Sequence, residues 1–79
     1  MKHFLKCIQP YFDDVVSGKK NFEIRFNDRN YQIGDVLDLN EYNPLTNEFS
    51  GRWSSKTVTY VLPGGQFGID PNYVAMSIV

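Results

Sequence analysis

Gly18, Lys20, Glu23 and Arg25 fall at the spacing G-x-K-x-x-E-x-R, within the stretch Gly18-Lys19-Lys20-Asn21-Phe22-Glu23-Ile24-Arg25. Side chains of these types so close together can do recognition chemistry. A guanidinium presents a planar fork of donors to a phosphate or a base edge, an ammonium is a compact positive charge, and a carboxylate accepts from an exocyclic amine. The same set can also move a proton, with Lys20 as base and Glu23 as shuttle in a hydrolysis. The plainer reading is an ion pair between Glu23 and Arg25 on a strand surface, worth about 0–1 kcal/mol.

Other candidates rank below these three. Arg29 and Arg52 can reach the same polar cluster, although an arginine after an Asn-Asp turn or after a glycine also serves as a solvated or turn-bracing residue. Tyr31, Tyr42, Trp53 and Tyr73 offer faces on which a base can stack, at about 1–3 kcal/mol per base. So small a domain also needs its aromatics for burial, and Trp53, next to Gly51-Arg52, is the leading stacking candidate. His3 is the only imidazole; no local Ser, Cys or Asp arrangement marks a nucleophilic triad, which leaves it a structural role at a strand start.

The elements that must position these groups are legible as short segments. His3 to Ile8 reads as a first strand with apolar residues at both parities, so its buried face stays open. Pro10 suits the first helical position, Asp13 and Asp14 lie where the helix dipole favours carboxylates, and Tyr11, Phe12, Val15 and Val16 fall on one side. Ser17-Gly18 stops this helix, with Gly18 a left-handed cap; about two turns long, it needs packing against a sheet to persist. Phe22, Ile24 and Phe26 then alternate with Glu23 and Arg25, which predicts a strand with one dry and one charged face. Lys20 shares the parity of the apolar set, so it belongs to the turn, from which its stem can swing over Glu23.

Asn27-Asp28-Arg29-Asn30 and Gly34-Asp35 are turn chemistry. Val36 to Tyr42 is a strand with Leu37 and Leu39 inward and Asp38 and Asn40 outward; Glu41, at the inward parity, either frays or faces an internal polar site. Glu48 to Trp53 and Lys56 to Leu62 form one long bent strand or two short ones, with Gly51 as a bulge. Pro63-Gly64-Gly65 breaks the chain, Gln66 to Asn72 is an ordered loop, and Tyr73 to Val79 is a last strand. Many short strands and one helix after the first strand predict a mainly β, α+β fold, a small bent β-barrel.

With its motif in this context the chain resembles the ASCH family of PUA-like domains. Phe22-Glu23-Ile24-Arg25-Phe26-Asn27-Asp28-Arg29, Gly34-Asp35, Glu41-Tyr42, Gly51-Arg52 and Tyr73-Val74-Ala75-Met76-Ser77-Ile78 look like its small stand-alone bacterial and phage members. The resemblance implies a PUA-like barrel and a cleft between helix and barrel, lined by the motif, that takes RNA, a nucleoside or a nucleotide. One ASCH-like branch hydrolyses the amide of cytidine acylated at its exocyclic amine. That branch shares the glycine and lysine of the motif, but has a threonine where this chain has Glu23, and a glutamate from a helical insertion that this chain lacks. An amidohydrolase using Lys20 and Glu23 is therefore the alternative to a binding domain. A protein-interaction module, which requires an exposed apolar patch, is a third class.

Composition bounds these readings. Residues 1–79 make one domain near the lower limit for folding without staples, and twelve aromatics compensate. One cysteine permits no internal disulfide and no zinc set, so neither metal nor cofactor is expected and Cys7 reads as a small buried hydrophobe. No apolar run reaches the ~20 residues of a membrane span, and the expected location is the cytoplasm. A net charge of −1 argues against broad clamping of a nucleic-acid backbone and favours a local basic pocket.

Overall fold

A computed structural model describes residues 1–79. In chain order the elements are β1 (Lys2–Cys7), α1 (Tyr11–Val16), β2 (Phe22–Phe26), β3 (Val36–Asn43), β4 (Glu48–Pro63) and β5 (Tyr73–Ile78). The strands form one sheet in the order β1-β3-β4-β5-β2, with β1 parallel to β3 and every other pair antiparallel. The fold is thus mainly β with one short helix after the first strand. The sheet is open: β1 and β2, consecutive in the chain and joined through α1, are its two edges.

β4 is one long strand and carries the bend. Its first part pairs with β3 and its last part with β5, so it belongs to both halves of the sheet. Two irregularities turn it. Between the pairs Asn40–Trp53 and Tyr42–Phe49, β4 places Ser50, Gly51 and Arg52 opposite Glu41 alone, which is where a bulge was expected. Between Val58–Ile78 and Tyr60–Ser77 it carries Thr59 as an extra residue. Each insertion raises the local twist and curls the sheet around its concave face.

That face holds the core. His3, Leu5 and Cys7 point inward from β1, which decides the face left open by the sequence; Leu37 and Leu39 come from β3, Val58 from β4, and Val74, Met76 and Ile78 from β5. Phe12 and Val15 of α1 are buried beside them, whereas Tyr11 and Val16, expected on the same side, are about half exposed. A helix of 6 residues can turn only a narrow stripe toward the sheet. It begins at Tyr11, and Pro10 occupies the cap position (φ −83°, ψ 1°) instead of the first helical one, after a cis Gln9–Pro10 bond.

β2 reverses the expected faces. Its register with β5 pairs Glu23 with Met76 and Arg25 with Val74, both buried, so the two charged residues point inward. Phe22, Ile24 and Phe26 stand on the outer face, each about half exposed. An alternating strand has two faces, and pairing, not polarity, chose the one that turns inward.

His3 is structural, as expected. Its Nε2 lies 2.8 Å from Asp35 Oδ2, both residues are buried, and its ring meets Tyr31 edge-on at 4.9 Å. The Asp35 carboxylate also accepts from the Gln32 amide and from the Met1 amine, each at 3.0 Å. The His3 hydrogen bond first, then these two, hold its pKa down at about 2.

Candidate functional site

The motif occupies the opening between the two sheet edges. Gly18, at φ +83°, turns the chain out of α1 in a conformation that a side chain would strain. The amide of Lys20 then donates to the Asp14 carbonyl at 3.0 Å, which fixes this residue to the helix end, ahead of the pleated strand. From there Nζ donates to the Phe22 carbonyl at 2.8 Å and to Glu23 Oε1 at 2.6 Å. Arg25 approaches from the other side, its Nε donating to Glu23 Oε2 at 2.9 Å. Lys20, Glu23 and Arg25 therefore meet, with the carboxylate held between two cations.

Glu23 is only 3% exposed. An ionised carboxylate at such depth is costly unless paired and hydrogen-bonded, and here each oxygen has a charged donor. No buried side-chain nitrogen or oxygen in the chain lacks a partner. The pairing leaves donors over: one N–H of the Lys20 ammonium and the whole Nη1 group of Arg25 make no hydrogen bond within the protein.

Lys20 and Arg25 both line a recess of about 430 Å³. Cys7 and Glu23 lie at its buried end, Tyr11 and Phe22 are its exposed aromatic walls, and Lys20 and Arg25 set two cations against one carboxylate, while the Lys6 ammonium turns away to the Tyr42 ring at 4.5 Å. The Lys20 Nζ stands 4.9 Å from the centre of the Phe22 ring and 5.9 Å from that of Tyr11. Burial, and then the Glu23 charge, push the Cys7 thiol up, which keeps it neutral and inert as a nucleophile.

The seam between β1 and β2 is closed by side chains. Arg25 Nη2 donates to the Lys6 carbonyl at 2.8 Å, and Arg29 Nη1 donates to the Phe4 carbonyl at 2.9 Å. Both carbonyls belong to the free edge of β1, so the two arginines occupy backbone acceptors that a neighbouring strand would otherwise use.

Arg29, Arg52 and Trp53 do not join the recess. Arg29 is spent on the Phe4 carbonyl beyond it. Arg52 lies across α1, 3.4 Å from Asp13 and 3.5 Å from Glu41, with its guanidinium over the Phe12 ring at 5.1 Å. Trp53 is 62% exposed and pairs with Asn40, away from the motif. The bulge at Gly51 sets Arg52 opposite Glu41, and Trp53 pairs with Asn40 within β3, so adjacency in sequence to a glycine did not bring them to the recess.

A second hollow, of about 620 Å³, lies beyond Ile8. Its lining includes Glu41 and Glu48 but no lysine or arginine, which suits an anion poorly despite its size. Glu41 faces a polar site there, the second of the two roles its parity allowed. Ser50 and Gln9 donate to its carboxylate and hold it below the usual range.

Three residues of the recess, Lys6, Cys7 and Tyr11, carried no distinguishing pattern in the sequence. Tyr11 gave the nearest hint, an aromatic opening a helix too short to bury both of its sides. No group of three or more His, Cys, Asp or Glu side chains converges as a metal-ligand set, and no helix is long and apolar enough to cross a membrane.

The chain is similar to a protein of Escherichia phage P2 described as "Uncharacterized 12.9 kDa protein in GpA 3'region", with 42% identity over 59 residues. That stretch covers 75% of this chain and 52% of the phage protein, so the chain spans about half the length of the curated relative it matches. A family model, "Domain of unknown function (DUF3850)", matches residues 2–78. On a match that takes in nearly every residue of the sheet, the helix and the recess, the chain belongs to the DUF3850 family.

Proposed function

We propose that this chain is an RNA- or nucleotide-binding domain that receives a nucleoside or nucleotide unit in the recess around Lys20, Glu23 and Arg25. The observation that carries the reading is the surplus of hydrogen-bond donors on two cations already fixed in place by one buried carboxylate. A preordered ammonium and guanidinium take a phosphate or a base carbonyl without the entropy cost of being immobilised on binding. A volume of about 430 Å³ lies within the range of small-ligand sites, and Tyr11 and Phe22 supply flanking faces for a base. In this reading the bent sheet, with its edges clasped by arginines and α1 beside the opening, is a PUA-like pseudobarrel of the ASCH type.

The test is an amide-shift titration with nucleosides, nucleotides and short single-stranded RNA. Shifts are expected at Lys6 to Ile8 and Lys19 to Arg25, with Arg52 and Trp53 unmoved, and Lys20→Met should weaken binding about tenfold, one charge-assisted hydrogen bond. An unshifted recess at millimolar concentrations of every probe would remove the proposal. Cytidine acylated at its exocyclic amine belongs in the same series: free cytidine released by the parent chain and not by Glu23→Gln would make the site that of an amidohydrolase.

A further inference from the structure

The reversed β2 has a counterpart on the outside of the sheet. Outward positions on β2, β5 and β4 line up as rungs: Phe22, Ser77 and Tyr60; Ile24, Ala75 and Leu62; Phe26 and Tyr73. None of these residues is charged, although charged residues make up 22% of the chain. Phe22, Ile24, Phe26 and Tyr60 are each 50% to 59% exposed and Tyr73 is 39% exposed. Phe26 and Tyr73 already pack edge-on at 5.7 Å, so the rungs form a continuous ordered surface.

We propose that this face is a self-association surface and that its occupant is a second copy of the same chain. With large side chains exposing about half of the roughly 200 Å² each can bury, the patch offers on the order of 500 Å² per copy. Two copies then bury about 1,000 Å², the lower bound for a specific interface, before Leu62, Ala75 and Ser77 are added. Patches of this size on a lone domain mark an interaction site. The lack of charged residues in the rungs disfavours a charged partner, which would lose solvation here and gain no ion pair, whereas an identical face has only its tyrosine and serine hydroxyls to desolvate. A two-fold axis through the central Ile24–Ala75 rung sets the aromatic rungs of one copy against those of the other, as in a face-to-face sheet sandwich.

Sedimentation equilibrium of the full chain tests this directly. At about 100 µM the expected mass is twice that of the 9.1 kDa chain, consistent with the micromolar affinity of a small interface. Ile24→Glu sets two like charges beside the axis and Tyr60→Glu, on a different strand, buries a carboxylate against the partner's apolar face, and each should weaken the dimer at least tenfold. Thermal unfolding of dilute samples identifies a variant that has lost its fold, in which case the other decides. A parent chain that stays monomeric throughout, or a dimer indifferent to the folded variants, overturns the proposal. Phe22 and Ile24 also line the recess, so the runs are made without nucleotide, and Tyr60→Glu, outside the recess, separates loss of the dimer from any effect on binding.

Discussion

Arg25 on β2 reaches the main-chain carbonyl of Lys6 on β1, 2.8 Å away, while its Nε holds Glu23. One guanidinium thus joins the two edges of an open sheet and neutralises the buried acid between them. Arg25→Ala leaves Glu23 with Lys20 alone and frees the Lys6 carbonyl, and should cost about 2–3 kcal/mol in urea unfolding. Arg25→Lys restores the charge without the fork and should recover only part of that loss. Amide exchange in β1 should quicken in both variants; an Arg25→Ala protein as stable as the parent would show that the clasp contributes nothing.

Asp35 makes the fold sensitive to acid. Its pKa of about 2, below the ordinary 3.8, means that the folded state holds the deprotonated form more tightly than the unfolded chain does. The stabilisation is complete above about pH 4 and is lost as pH falls toward 2. Glu41, shifted in the same direction by Ser50 and Gln9, adds to the same limb. Denaturant midpoints measured from pH 5 to pH 2 should fall along a slope that flattens in Asp35→Asn, which is also less stable at neutral pH because His3 loses its charged partner.

Gly64 is required by a close approach. A Cβ there would stand 1.9 Å from the Asp70 carbonyl oxygen and 2.4 Å from that of Tyr73, both main-chain atoms. Gly64→Ala must displace the Gln66–Asn72 loop or the start of β5. A loss of roughly 2–4 kcal/mol is expected, the scale of overpacking compounded by backbone shifts. A thermal midpoint unchanged from the parent would mean that the loop yields freely.

The sequence disclosed most of the scaffold and one part of the site. Period-two alternation placed Leu37 and Leu39 inward, and helix length with Gly18 delivered Lys20 to a turn above Glu23. What it concealed was β2. Polarity argues that Phe22, Ile24 and Phe26 go inside, and nothing local to the strand reveals that β5 already fills the concave side with Val74 and Met76. Local rules fail where a buried polar group is kept, and Glu23 is such a group. Arg52 and Trp53 lie apart from the recess for another reason: an inserted bulge changes where a strand points, and its extra residues are invisible until the partner's register is known.

β4 has a consequence for how the molecule comes apart. Because the same 16-residue strand is the inner neighbour of both β3 and β5, neither half of the sheet owns a complete set of partners without it. Peeling β4 away would strip β1 and β3 from β5 and β2 at once, so no fragment survives as a stable remnant. Its slowest-exchanging amides should therefore report the opening of the whole domain, in a single cooperative step.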